Sequence, residues 1–486
     1  MVFMVSRMRA RMVLSVLLAA VVGAAVLGVL VTAWTGRAGA HGDTRRQGEV
    51  ITLTGSALTP LIGAKPEELW VYMLHDGEWV RIPAQLDEVS AAGAFVATED
   101  GKLDANDVVA FPADDYAGAQ RPADSWPEAL EAAYPEVEVK VTDPLDADLA
   151  AYFYVFRSVA GPTASLAPLV TYDAAKQEVH ARSYTLGYAN PDTDQYIGLK
   201  RLSMYKGTTN LLDRLKIRAK LNYMGMENQI DEENIVPLLR LLGGGSGMSL
   251  GVKPVKVGPV RIILDATGTA TADPDRATLL SGLGNLTGIP GGGSLPVSDV
   301  RISLDFSAEA VPAKYWDANM AKTVPVDGEE DNVPASPIPA WREIEFTEGR
   351  AVLVADRPVV TSTAKVYYKD NANTDVGGST DTGDKKSYGD NGVMASTLEE
   401  LNSAGFPGEM VVLPVGRSVT AAQIAENMAK PLVVTTKAGS LPAPRTPSVP
   451  TPTAHPTAHP TAAPTARPTV IAGHGHIYLP ALKRQQ

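Results

Sequence analysis

Short runs in which every second residue is apolar recur through the body of this 486-residue chain. Pro135–Val141 places Val137, Val139 and Val141 on one face, and Asp299–Phe306 does the same with Val300, Ile302, Leu304 and Phe306. Successive side chains of an extended chain point to opposite sides, so a period of two marks a half-buried strand. Ala151–Phe156 and Val257–Leu264 read as more fully buried strands. Gly, Pro, Asp and Asn clusters bound such runs, which suits antiparallel sheets joined by turns. Helical signals are few: a turn or two over Pro127–Ala133, and a short helix over Thr420–Met428 capped by Thr420. The expected fold class is mainly β, an antiparallel β-sandwich or supersandwich body with few short helices, followed by a disordered Pro/Thr-rich stalk.

The two ends have addresses of their own. Arg7, Arg9 and Arg11 precede an uncharged apolar run from Met12 to Trp34, and Ala38-Gly39-Ala40 then offers a small-residue cleavage site. That order is the pattern of a secretory signal peptide, and the same run is long enough to serve as an uncleaved transmembrane anchor. Either way the arginines stay inside and the remainder is exported. At the other end Pro452, Pro456, Pro460 and Pro464 open a four-residue repeat. Proline at that density fixes φ and removes amide donors, so the stretch is expected to be extended. Residues 1–40 are read as signal peptide or anchor, 41–205 as an N-terminal β region and 206–435 as a C-terminal β region. Residues 436–470 are a Pro/Thr-rich linker and 471–486 a short apolar tail.

The formal charge of −12 argues against nucleic acid as a partner. With no cysteine, disulfides and thiolate metal sites are excluded, and an exported body must be held by its core alone. Two glycine-rich stretches, Gly243–Gly247 and Gly288–Gly293, lack the lysine of a phosphate-binding loop and read as loops. Asn285-Leu286-Thr287 is formally a glycosylation sequon.

Candidate binding residues lie on Asp213–Tyr223. Leu215, Ile217, Ala219, Leu221 and Tyr223 fall on one face of an extended chain, and Arg214, Lys216, Arg218 and Lys220 fall on the other. Those cations would repeat every ~7 Å, near the charge spacing of a polyanion. Such a strip can hold an acidic polysaccharide or lipid headgroup. It can also pair with carboxylates such as Glu136 and Glu138, or guard a sheet edge. A helix starting at Thr209 would scatter the cations. Asp100, Asp104, Asn106 and Asp107 gather oxygen ligands in one turn, the donor type calcium takes, and a second acidic loop runs from Asp370 through Asp381, Asp384 and Asp390. Such side chains also cap their own turns without metal. No other cofactor is implied. Catalytic signals are thin: no zinc-type histidine spacing and no nucleophile elbow. Trp70, Tyr72, Trp79 and Trp126 are candidates for stacking on sugar rings or on one another. The tail histidines, His455, His459, His474 and His476, read as linker residues.

Several phrases resemble a loosely defined group of uncharacterised exported bacterial β-proteins: Trp79–Glu88, Asp100–Phe111, Val141–Leu145, Asn210–Arg218 and Ser387–Gly392. The Thr-Pro tail closing on Tyr478-Leu479-Pro480 is similar to C-termini of exported proteins of filamentous bacteria. Pro83–Asp87 with Leu103–Asp107 resembles the N-terminal strands of rhamnogalacturonan-lyase-like β-supersandwich proteins. That second resemblance implies a fold and a glycan context and brings no catalytic residue. The expected function is an exported cell-surface or envelope protein, non-catalytic, binding an envelope glycan or other polyanion, and held at the membrane if its N-terminal segment is uncleaved. The alternatives are a polysaccharide lyase or hydrolase drawing on His180, Tyr184 or the basic strip, and a structural surface-layer component.

Overall fold

Alternation becomes strand at nearly every expected place in the computed structural model. It describes residues 46 and 49–439, apart from 113–117, 129, 131–134, 205–206, 224–225, 238–250, 266–268, 280–296, 332, 356–362, 374–380 and 404–407. The signal segment, both glycine-rich stretches, the sequon and residues 440–486 lie outside the described residues, while Thr436–Ala438, expected to open the linker, continue the strand Val433–Ala438. Among those residues no helix is long and apolar enough to cross a membrane. The fold is mainly β, with antiparallel sheets throughout.

The strand Glu136–Asp143 pairs with Asp146–Arg157 on one side and with Val433–Ala438 on the other. Leu69–His75 and Glu78–Ile82 complete a five-stranded sheet. Val137, Val139 and Val141 point inward, as their spacing requires. They share a core with Ile51, Leu86, Val109 and Phe111 of a three-stranded sheet formed by Val50–Thr54, Val108–Pro112 and Gln85–Asp87. Phe111 meets Phe153 with ring centroids 5.3 Å apart. The opposite face of the five-stranded sheet is aromatic: Tyr72, Tyr154 and Phe156 pack against Trp70, Trp79 and Trp126, mostly edge to face. These aromatics are therefore cross-strand and core partners of one another.

A second core joins three further sheets. A four-stranded sheet covers Val170–Asp173 to Leu199–Met204, and a five-stranded one has the order Met226–Asp231, Leu212–Tyr223, Val297–Phe306, Ser387–Thr397 and Lys365–Asn371. A nine-stranded sheet contributes Ile262, Leu264, Tyr315, Ile344 and Val412 to the same cluster. The outer side of that sheet is closed by Ile424 and Ala421 of the helix Ala421–Ala429. Thr420 caps this helix as expected: its hydroxyl accepts from Gln423 N at 3.2 Å, and Gln423 Oε1 accepts from Thr420 N at 2.8 Å. Of the turn or two expected over Pro127–Ala133, Leu130 N donates to Pro127 O at 3.0 Å, and residues 129 and 131–133 lie outside the described residues.

One expected strand is broken. Gly258–Arg261, within the run Val257–Leu264, is a hairpin connection between Lys253–Val257 and Ile262–Asp265, which pair antiparallel. Pro259 cannot donate to a ladder, and a Cβ at Gly258 would stand 2.1 Å from the Gln85 side chain. Gln85 takes over the turn's amides, its Oε1 accepting from Val260 N at 3.0 Å and Arg261 N at 2.9 Å.

Two measurements test this packing. Phe153→Ala removes a fully buried ring and should cost about 3–5 kcal/mol in denaturant unfolding. Thr420→Ala should cost about 1 kcal/mol through the lost cap alone.

Candidate functional site

The cationic strand Leu212–Tyr223 lies inside the five-stranded sheet, between Met226–Asp231 and Val297–Phe306, so it guards no edge. It is extended because Leu215, Ile217, Ala219 and Leu221 can then all enter the core together. Pairing sets Arg214 opposite Asp305, Lys216 opposite Ser303 and Arg218 opposite Arg301.

The outer face of this strand is covered at one end, which corrects the expectation of an open cationic strip. Lys216 is 1% exposed and Arg218 6%. Lys216 Nζ forms a short ion pair with Asp305 and donates to Asp381 Oδ1 at 2.9 Å and to the Lys386 carbonyl at 3.0 Å. Arg218 donates to Glu232 Oε2 at 2.9 Å, Asp381 Oδ1 at 2.6 Å and Thr382 Oγ1 at 3.1 Å. Arg214 pairs with Glu233 at 2.7 Å and lies 4.4 Å over the Tyr196 ring. The physical reason is solvation: buried ions need several hydrogen bonds apiece, and the segments around Glu232 and Asp381–Lys386 supply them from above the sheet.

Glu136 and Glu138 are not the partners. They lie on Glu136–Asp143 of the other core, where Glu136 pairs with Arg121 and Glu138 accepts from the Tyr154 hydroxyl.

The network polarises its members unequally. Burial opposes the Lys216 charge, but Asp305, Asp390 and Asp381 outweigh it and raise its pKa. Burial also works against Asp381, yet Lys216 and Arg218 hold it below the usual carboxylate range. Asp213 is pushed up to about 6 by burial and by Asp384, and Asp305 is pushed well up by burial and by Asp390.

At its other end the same face opens. Arg218, Lys220, Arg301 and Lys365, with Asp299 and Met394, line a groove of about 550 Å³. Lys220 is half exposed and pairs with Asp299 at 2.9 Å and Glu227 at 3.4 Å. Arg301 stacks 4.4 Å over Tyr367, and its buried Nε has no hydrogen-bond partner. Arg301 and Lys365 were missed from the sequence. Arg301 sits on the polar side of a run read only for its apolar side, and pairing alone brings Lys365 near it, through Met394.

The other candidates are placed elsewhere. In the loop Asp100–Asp107 the side chains cap backbone: Asp100 accepts from Lys102 N at 2.8 Å, and Asp107 accepts from Val89 N at 2.8 Å and Asp104 N at 2.6 Å. Asn106 donates to the Val89 carbonyl. Asp104 and Asp100 join no convergent ligand group among the described residues; the one such group is Asp213, Asp305 and Asp384. Asp370 is likewise spent on amides, accepting from Asp327 N at 2.8 Å and Gly389 N at 3.1 Å.

His180 and Tyr184 do not meet. His180 pairs across the sheet with Thr185, so Tyr184 points to the opposite face, buried, with its hydroxyl 2.7 Å from the Asp273 carbonyl oxygen. Trp70 lines a smaller groove of about 340 Å³, where the Arg81 guanidinium lies 5.6 Å over its ring.

No protein-family model matches this chain, and no curated protein matches it. Its function has to be read from the charged sheet itself.

Two substitutions on one strand separate its covered from its open end. Lys216→Met strands Asp305 and Asp381 and should cost about 3–5 kcal/mol in denaturant unfolding. Lys220→Met should leave the unfolding midpoint where it is, because its ion pairs are screened by water.

Proposed function

We propose that this is an exported, non-catalytic cell-surface or envelope protein that binds an anionic glycan or similar polyanion along the basic groove. The observation that carries this reading is the groove lining: Arg301 and Lys365 stand beside Lys220, which Asp299 and Glu227 hold, and Arg218 closes the inner end, held by Glu232 and Asp381. On a chain of formal charge −12, cations gathered in one groove are a selective feature. Arg301 is the anchor. Tyr367 holds its guanidinium plane in place, and a preorganised fork suits the paired oxygens of a carboxylate or sulfate. The export reading rests on the N-terminal basic-apolar pattern and the proline-threonine repeat.

The contact residues therefore shift from the sequence expectation. Lys220 is retained, Arg218 closes the inner end of the groove, and Lys216 and Arg214 hold the sheet and its covering segments together. Affinity electrophoresis in polygalacturonate is the test. Arg301→Glu with Lys365→Glu should weaken retention by about tenfold or more, and retention by the wild type should fall steeply with salt. Equal retention of both proteins would overturn the assignment. Unsaturated, ultraviolet-absorbing products in the same incubation would move the reading to a lyase.

A further inference from the structure

We propose that Asp213, Asp305 and Asp384 hold a hard divalent cation of the calcium type at the covered end of the sheet. The three come from distant parts of the chain. Asp213 is the second residue of the strand Leu212–Tyr223, Asp305 the last but one of Val297–Phe306, and Asp384 belongs to the segment laid across them. One carboxylate oxygen of each lies within 4.8 Å of the other two. Oxygens bound to calcium at about 2.4 Å can stand no further than about 4.8 Å apart, so this spread fits a shared ion.

A cluster of acids alone would prove little; the unpartnered atoms around it point to a ligand. Ser303 stands two residues before Asp305, on the same face of its strand. Gly392 is opposite Ser303; the pairing is irregular just beyond, between Leu304 and Phe306, and Asp390 stands near enough to Asp305 for its charge to push that carboxyl up. Asp390 is 2% exposed and Ser303 1%, yet Asp390 Oδ1 and Ser303 Oγ have no hydrogen-bond partner. Buried oxygens of this kind are normally met by a donor or an ion.

Lys216 does not fill that role for all of them. Its ammonium is taken up by Asp305, Asp381 and the Lys386 carbonyl. Asp213, Glu232, Glu233, Asp305, Asp381, Asp384 and Asp390 outnumber the neighbouring Arg214, Lys216 and Arg218, even when Lys369 beside Asp381 is added. A divalent ion offsets two of the surplus negative charges. Donors that are all oxygen select calcium or magnesium over softer metals.

The test uses the full chain stripped with a chelator and then titrated with calcium chloride, following the thermal midpoint and the heat of binding. Calcium should raise the midpoint and bind with a dissociation constant on the order of millimolar or tighter. Asp384→Asn, an exposed position that the fold should tolerate, should weaken calcium binding by about tenfold or more. Asp299→Asn, in the groove, should leave it unchanged. No shift with calcium or magnesium would overturn the proposal and leave protons to balance the acids. A shift that persists undiminished in Asp384→Asn and Asp213→Asn would overturn it too, by placing the ion elsewhere.

Discussion

A strand that is apolar on one side and cationic on the other can be buried on both sides only where carboxylates arrive from elsewhere to meet each cation. Leu212–Tyr223 satisfies that constraint, and much of the second core is arranged around it. Its apolar side enters the core between the sheets. Its charged side is closed by Glu232, Asp381 and Thr382, which are drawn over the sheet by the need to solvate Lys216 and Arg218. Removing a charge from water costs several kcal/mol, so these covering segments are held in place by the same contacts they provide.

Along that one strand the environment changes from dry to wet. Lys216 is enclosed, Arg218 is tied down on one side and lines the groove on the other, and Lys220 stands half in solvent. Arg218 is thus shared between the network and the groove, and a ligand there would meet a guanidinium already fixed by Glu232 and Asp381. Preorganisation of this sort lowers the entropy that binding has to overcome.

Buried arginines do similar work elsewhere, in a chain that has no cysteine for crosslinks. Arg261 pairs with Asp87, joining the turn at Gly258 to the strand Gln85–Asp87. Arg46 pairs with Asp143 and also donates to the carbonyls of Asn427 and Lys430, at 3.0 and 3.1 Å. Those carbonyls lie at the C-terminal end of the helix Ala421–Ala429, where a cation is favoured by the helix dipole. The start of the described body is thereby tied to its last helix, and Val433–Ala438 then returns to pair with Glu136–Asp143.

Local chemistry in the sequence was enough for the β class, the inward faces of Glu136–Asp143 and Val297–Phe306, the cap at Thr420 and the two-sided character of Asp213–Tyr223. Each of these depends on side-chain period or on neighbours three residues away. The break at Gly258–Pro259 was also written locally, but its apolar flanks read as one continuous run. What could not be read is pairing at long range. Whether Lys216 faces water or Asp381 depends on residues far along the chain, and period alone names a second face without saying what covers it. Alternation is written into the chain residue by residue, whereas the division of the cationic face into a buried ion network and an open groove exists only once the sheets have assembled. Burial and charge pairing are set by which segments meet, and that is a property of the assembled sheets.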